Sequence, residues 1–322
     1  MKKEKMMPLP AKKLTERQKA LYSKRLRVGL INTVLFILLL GLAFVVLHPF
    51  VYKILGTFMA LEDWTDPTVG IIPKNWTLDH YIATLTKDDF IFIRGIFTYT
   101  LPFAVVVAVL STFSCTFVGY GIARYNFPGK FLVMAAVVAT LLIPSASISS
   151  SLYSEFRYFD VLGIFKAITG SPVQINNTIW PMVILSATCL SFRAGVFVFI
   201  MFQYFKSVPE ELSQAAKVDG AGPFATFFRI MLPMSRSRLI VIFSLSFAWQ
   251  WTDTFYTESL LGSAPTYSNI VSSFIESTAN GKFENVIYAN AAALMGLIPL
   301  IVLYLFLQKR IISGIEASGI VG

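Results

Sequence analysis

The chain has 322 residues, of which 55% are hydrophobic and only 14% are charged, and its formal net charge is +9. A soluble domain usually carries about 25% charged residues, so this composition excludes an ordinary soluble protein. The basic residues do not form a recognisable nucleic-acid-binding motif, and we therefore expect no nucleic-acid partner.

The uncharged residues are concentrated in long runs along the chain. Four runs of 24 to 29 residues carry no charge, at 28–52, 95–123, 131–154 and 285–308. Two further runs hold one charge each: 179–204 with Arg193, and 239–257 with Asp253. About 20 helical residues cross a hydrocarbon core of about 30 Å. The sequence therefore predicts an all-α, polytopic membrane protein with six transmembrane helices.

The lysines and arginines predict how the chain is oriented. If both termini are cytosolic, 19 of the 27 basic residues fall in the cytosolic segments 1–27, 120–130, 204–238 and 308–322. Basic residues are enriched in the cytosolic loops of membrane proteins. We therefore predict cytosolic N- and C-termini and a basic cytosolic tail at residues 1–27, followed by a transmembrane domain at 28–322.

Two features outside the main loop carry weaker predictions. The longest outside segment, 54–93, contains "NWTLDHYIATL", whose apolar spacing predicts a short surface helix. This segment is either a solvated cap over the helix ends or a docking surface for an outside partner. Cys115 and Cys189 fall in predicted spans, where we expect them to pack as small hydrophobic residues.

A polar stretch, "SVPEELSQAAKVDG" at 207–220, interrupts the apolar sequence on the predicted cytosolic side. Ser207 and Glu210 have the spacing of a capping box, which predicts a helix beginning at Ser207. Leu212, Ala215 and Ala216 are spaced i, i+3 and i+4, so we expect them on one apolar face.

The end of that helix is marked as clearly as its start. Asp219 and Gly220 predict a stop, because glycine readily adopts the left-handed conformation that follows a helix. Gly222 and Pro223 predict the start of a second helix, which Pro233 limits. The segment is then a helix, a sharp turn and a helix. Its small alanines allow a partner surface to approach closely, although such a helix also occurs without a partner.

At these positions the loop resembles the "EAA…G…I-LP" loop of binding-protein-dependent ABC importer permeases, in the sugar-importer branch that includes the second permease subunit of the maltose system. The matching loop residues are Ala215, Ala216, Gly220, Ile230, Leu232 and Pro233. Four further stretches resemble that branch: "WTLDHY" at 76–81, "GYGIARYNFPGK" at 119–130, "WTD" at 251–253 and "QKRIISGIEASGIVG" at 308–322.

The resemblance implies a type I ABC importer permease in the plasma membrane of a prokaryote, with a permease domain at 28–322 and a cytosolic coupling loop at 204–238. It implies four kinds of partner: two ATPase subunits, a second homologous permease, an extracytoplasmic substrate-binding protein and a saccharide. The chain has no GxxxxGK[ST] motif, so ATP and Mg²⁺ are expected on the ATPases, and this chain is expected to bind no cofactor or metal and to have no catalytic residue.

The same resemblance implies which residues couple to the ATPases. They are Pro209, Glu210, Leu212, Gln214, Ala215, Ala216, Asp219, Gly220 and Pro233. The family usually has glutamate at the position of Gln214. An ion pair made by that glutamate would become a neutral hydrogen bond in this chain.

Candidates for contact with the substrate lie in the fourth and fifth predicted spans. Sugars stack on aromatic rings, which favours Trp249, Trp251 and Tyr256, although aromatic residues at span ends also form interfacial belts. Arg193 is a charge inside a span, which indicates either a water-filled pathway or a pairing with backbone carbonyls or Asp253. If Arg193 lines a pathway, an acidic saccharide becomes a better candidate.

Other functions remain open at this point. The importer could carry another solute such as a peptide, and an ATP-independent carrier would also have many spans. A membrane-embedded enzyme would need clusters of ionisable residues within its spans, and the sequence offers only Arg193 and Asp253 there.

Overall fold

The computed structural model describes residues 16–86, 91–276 and 284–319, and it divides after Trp76 into two units. Helices dominate both units, and two isolated β-bridges, Met59–Trp76 and Phe159–Val173, are the extended pairings in the described residues. The predicted all-α fold class is confirmed.

The first unit contains helix α1 (Glu16–Gly56) and the short helix α2 (Leu61–Thr65). The 41 residues of α1 contain the first predicted span and continue upstream of it without a break at residue 27. The predicted boundary between a tail and a membrane domain is thus not marked by a change in backbone structure. Whether the upstream part is cytosolic stays a prediction.

A buried carboxylate organises the loop that follows α2. Asp63 is 4% exposed and accepts hydrogen bonds of 2.8 Å from the Lys74 and Asn75 backbone N–H groups and from the Asn75 side chain. Nearby, the Lys74 ammonium donates to Asp66 at 2.9 Å, and this hydrogen bond and that from Thr68 lower the pKa of Asp66 to about 2. The loop is therefore ordered by its own polar contacts.

The second unit begins with α3 (Asp79–Thr86), which confirms the short helix predicted in the outside segment. The helices that follow are α4 (Ile91–Arg124), α5 (Lys130–Leu142), α6 (Ser145–Arg157), α7 (Ile164–Thr169), α8 (Trp180–Ala187), α9 (Ala194–Ser207), α10 (Glu210–Val218), α11 (Pro223–Met234), α12 (Arg236–Thr252), α13 (Tyr267–Glu276) and α14 (Glu284–Gly319). Three π-helical turns occur, at Gly95–Thr100, Phe227–Met231 and Thr257–Leu261.

Two predicted spans are broken rather than continuous. The run 131–154 is interrupted at Pro144, and the axes of α5 and α6 differ by 110°. The run 179–204 is interrupted between α8 and α9, where Cys189 and Arg193 have positive φ of 62° and 59°. Proline lacks a backbone N–H, and left-handed residues cannot continue a right-handed helix. Both breaks escape a count of uncharged residues.

These breaks affect the number of spans. Among the described residues, three helical segments are long and apolar enough to cross a membrane, at Lys24–Gly56, Ile91–Arg124 and Val286–Ile311. The number rises to five if each of the bent pairs, α5 with α6 and α11 with α12, is one span. The sixth predicted span corresponds to the shorter pair α8 and α9. The count of six, and the orientation, stay predictions.

Helix α4 is central to the packing of the second unit, because its two ends lie in different buried clusters. A β-carbon on Gly119 would lie 2.7 Å from the Met201 β-carbon and 3.1 Å from the Val198 carbonyl oxygen, so α4 and α9 cross with almost no space between them. Cys115 on α4 is fully buried, and its Sγ lies 3.4 Å from Sγ of Cys189 in the α8–α9 break.

Candidate functional site

The helix predicted after the fourth span is present as α10, but it begins later than the capping box required. Ser207 ends α9, and its hydroxyl donates to the Tyr204 carbonyl oxygen at 2.8 Å. Pro209 precedes the first residue of α10, Glu210, and no side chain caps this end. The capping-box prediction was wrong, because the Ser207 hydroxyl is already used within the preceding helix.

The end of α10 is as predicted. Gly220 has φ of +80°, its N–H donates to Lys217 O at 3.0 Å, and the Ala221 N–H donates to Ala216 O at 2.8 Å. This pair of hydrogen bonds is a Schellman motif, which satisfies carbonyl groups that the helix end leaves unpaired. The turn therefore fixes the direction in which the chain leaves α10.

The predicted apolar face of α10 is divided between two sides of the helix. Ala216 is 4% exposed and faces the protein, whereas Ala215 is exposed and Leu212 is 38% exposed. Successive helical residues differ by about 100°, so two adjacent alanines do not share one direction. Val218, which the sequence did not single out, is 87% exposed on the outer side. The remaining predicted docking residues on and beside α10 are all exposed: Pro209, Glu210, Gln214, Asp219 and Gly220.

Helix α11 is anchored to the body of the second unit by two buried side chains. Phe227 is 3% exposed and Met231 is 0% exposed. The Phe227 ring lies 4.9 Å from the ring of Tyr120 and 5.5 Å from the ring of Phe117, both on α4. At the other end of the helix, Phe224 remains 67% exposed. The turn between α10 and α11 is therefore flanked by two exposed apolar side chains, Val218 and Phe224.

The second helix ends close to its predicted limit. Pro233 lies inside α11, which ends at Met234, and the axes of α11 and α12 differ by 77°. The π turn at Phe227–Met231 precedes it, with the Leu232 N–H bonded to the Phe227 carbonyl oxygen. The loop is thus separated from the next candidate span by a sharp bend.

A contact from α4 fixes the start of the loop, and the sequence did not indicate it. Arg124 is the last residue of α4, and its Nη2 donates to the Val208 carbonyl oxygen at 2.5 Å. Val208 is itself 7% exposed and immediately precedes Pro209. The coupling loop is therefore held at its start by Arg124 and, after the turn, by Phe227, while the outer side of α10 stays free within this chain.

Two of the predicted pathway aromatics lie in the core. Trp251 is 1% exposed, donates from Nε1 to the Gly296 carbonyl oxygen at 2.9 Å and stacks on Tyr267. Tyr256 is 6% exposed and packs on Phe192 at 5.4 Å. A ring with so little exposure has no face for a sugar, so the structure argues against both pathway predictions.

Trp249 and Arg193 are arranged differently. One contact of the Trp249 ring is with Phe197, at 5.3 Å and 23° between planes, and another is with the Arg193 guanidinium, whose Cζ lies 4.6 Å from the ring centre. Arg193 also lies 4.9 Å from the Phe192 ring and is exposed. Within residues 16–86, 91–276 and 284–319, its side chain makes no hydrogen bond or ion pair.

Asp253 does not pair with Arg193. Its Oδ2 accepts hydrogen bonds from the Thr257 N–H at 2.8 Å and the Thr257 hydroxyl at 2.9 Å, and Oδ1 accepts one from the Tyr256 N–H at 3.4 Å. The carboxylate therefore caps the turn after α12, as acidic residues commonly do at helix starts. Of the two structural pairings predicted for Arg193, neither occurs in the described part of the chain.

A helical protein with several candidate spans and a helix–turn–helix exposed beside them belongs to the class of multi-pass membrane transport subunits. Residues 88–316, more than half of the chain, match the model of the family described as the inner membrane component of binding-protein-dependent transport systems. The chain belongs to this family and is a multi-pass protein of the plasma membrane.

Several characterised or named proteins are similar in sequence. An inner membrane ABC transporter permease protein of Escherichia coli (strain K12) is 26% identical over 86% of this chain and 92% of its own length. The trehalose transport system permease protein of Mycobacterium tuberculosis is 27% identical over 78% of this chain and 85% of its own. The maltodextrin transport system permease protein of Bacillus subtilis is 27% identical over 77% and 82%. The suspected resemblance to sugar-importer permeases is confirmed.

The fold is also found among solved structures. A chain of a bacterial ABC transporter involved in the import of the acidic polysaccharide alginate superposes with a TM-score of 0.64, at 18% identity, over 89% of this chain and 97% of its own. The same type of transporter in complex with a periplasmic protein that holds an alginate pentasaccharide gives a TM-score of 0.58. The ABC importer permease fold that the sequence predicted is thereby confirmed.

Proposed function

We propose that this chain is a permease subunit of an ABC importer that carries a saccharide across the plasma membrane. It forms half of the pathway, and a second homologous permease forms the other half. Two ATPase subunits, which bind ATP and Mg²⁺, dock on the loop between Pro209 and Pro233. An extracytoplasmic binding protein delivers the saccharide. The similar permeases named for trehalose and maltodextrin support the choice of solute.

The observation that carries this proposal is the geometry of α10. The helix is fixed to its own chain by Ala216 and by the Arg124–Val208 hydrogen bond, yet Ala215 and Val218 on the outer side are exposed. Exposed apolar side chains on an otherwise polar helix are typical of an interaction surface. Because the helix is anchored, a partner that moves α10 also moves α4 and α9. This is the mechanical connection that ATP-driven transport requires.

The test is to purify the tagged chain in mild detergent from its native membranes and identify the co-purifying proteins by mass spectrometry. We expect an ATPase and a second permease, together with ATP hydrolysis that an added binding protein stimulates. If the chain is recovered alone and transports after reconstitution without ATP, the proposal is wrong and an ATP-independent carrier is favoured.

A pair of matched substitutions tests the docking surface itself. Ala215→Trp places a bulky ring on the outer side of α10 and should abolish recovery of the ATPase, because close approach of the partner is blocked. Ala167→Trp makes the same change at an exposed alanine of α7, on the predicted outer side of the membrane, and should leave recovery unchanged. Equal recovery with both variants would place the ATPase elsewhere.

A further inference from the structure

The break between α8 and α9 places an unpaired charge where a span was predicted. Arg193 begins α9 with φ of +59°, and its guanidinium is exposed although the flanking residues Ala194 and Gly195 are buried. Irregular backbone at membrane depth is tolerated where it is buried in protein or lines a water-filled cavity. A charged side chain in a span likewise faces a cavity or a partner. Both arguments place Arg193 at an aqueous cavity.

The aromatic rings around Arg193 hold its guanidinium in place. Its Cζ lies 4.6 Å from the centre of Trp249 and 4.9 Å from the centre of Phe192, within the range of a cation–π interaction. Because Trp249 is also stacked on Phe197, the tryptophan offers little free ring face to a sugar. The group presented to the cavity is therefore the cation and not the indole ring. A guanidinium held in this way is suited to bind a planar carboxylate with two parallel hydrogen bonds.

A second donor without a partner lies on the same helix as Trp249. Gln250 is 9% exposed, and its side-chain nitrogen Nε2 makes no hydrogen bond within the described parts of the chain. Ser246, Trp249 and Gln250 are spaced i, i+3 and i+4, so they share one face of α12. A buried donor without a partner is costly, and such a group in a native structure calls for an explanation. A ligand rich in acceptor oxygens would satisfy it.

We infer that Arg193 and Gln250 form a subsite for the carboxylate of an acidic saccharide, such as a uronate residue, on the translocation pathway. The inference rests on the proposed function and narrows its substrate class. Arg193 supplies the charge and the paired donors, Trp249 and Phe192 hold the guanidinium, and Gln250 supplies a neutral donor. A neutral sugar would leave the cation without a counter-charge.

The test measures equilibrium binding of two labelled trisaccharides, trigalacturonate and maltotriose, to the importer complex purified through this chain. For the wild type we expect at least tenfold tighter binding of the acidic trisaccharide. Arg193→Gln should weaken trigalacturonate about tenfold, equivalent to about 1.4 kcal/mol, and leave maltotriose unchanged. Arg193→Lys should fall between the two, because it keeps the charge without the paired donors. Gln250→Leu should weaken trigalacturonate without lowering the melting temperature, because it removes an unsatisfied buried group.

Arg157→Gln is the matched control. Arg157 is also exposed and lies over a ring, 6.0 Å from the centre of Tyr158, but it is on α6 and outside the subsite. It should leave both affinities unchanged, and an Arg157→Gln effect equal to that of Arg193→Gln would refute the assignment.

Four other outcomes would overturn the inference: equal wild-type affinity for the two trisaccharides, no binding of trigalacturonate, equal loss of both in Arg193→Gln, or loss of the second permease from that variant, which would assign the arginine to a subunit interface. ATP hydrolysis stimulated by the binding protein reports on the proposed function separately.

Discussion

The clearest structural prediction concerns the Phe227 side chain, which anchors α11 to α4. It is 3% exposed and contacts the rings of Tyr120 and Phe117. Truncation of a buried phenylalanine to alanine costs about 3–5 kcal/mol, from lost burial and from the cavity that remains. We therefore expect Phe227→Ala to destabilise the loop strongly and to reduce recovery of the ATPase.

The neighbouring residue provides a matched control. Phe228 is 54% exposed, so Phe228→Ala removes the same atoms from a surface position and should cost about 1 kcal/mol or less. Thermal unfolding in detergent, followed by intrinsic fluorescence, compares the two. At about 2 °C per kcal/mol, Phe227→Ala should melt at least about 6 °C below the wild type. If both variants melt together, Phe227 does not anchor the loop, and our account of α11 is wrong.

Three further predictions test other parts of the fold. Gly119→Val should cost about 1–3 kcal/mol in thermal unfolding, because its side chain has no space at the α4–α9 crossing; an unchanged melting temperature would contradict that crossing. Oxidation by copper phenanthroline should join Cys115 and Cys189, each thiol losing a hydrogen and the copper oxidant taking two electrons, and mass spectrometry should show a loss of about 2 Da that Cys189→Ser abolishes. Lastly, the folded pKa of Asp66, about 2, is below its unfolded value of about 3.9, so its stabilisation is complete above about pH 4 and is lost as the pH falls through 2. Hydrogen exchange of residues 63–76, corrected for intrinsic rates, should accelerate over that interval in the wild type, and Asp66→Asn should show no such dependence.

Local signals in the sequence were reliable where one residue type has a single structural use. Gly220 was predicted to end α10 because few residues other than glycine adopt a left-handed conformation, and it has φ of +80°. Pro223 was predicted to start α11, and it is the first residue of that helix. The capping box at Ser207 was wrong because the same residues also fit the end of the preceding helix, and the pattern alone does not choose between them.

Features that depend on distant residues were not predicted. The Arg124–Val208 hydrogen bond joins residues 84 positions apart, and the burial of Trp251 depends on Gly296, 45 positions away. The break between α8 and α9 lies in an uncharged stretch, so a search for apolar runs passes over it. Hydrophobic patterning thus indicated which segments are apolar, and the packing of those segments decided where each helix stops.

The π turn in α11 places a constraint on the length of the loop. A π turn bonds each N–H to the carbonyl five residues earlier, so the turn at Phe227–Met231 holds one residue more than the same span of α-helix would need. Deleting one residue there would leave a regular helix but rotate everything that follows by about 100° relative to Phe227. Phe227 and Met231 could then not both remain buried while α12 kept its present face towards α14. The loop therefore accepts exchanges of side chains far more readily than the gain or loss of a single residue.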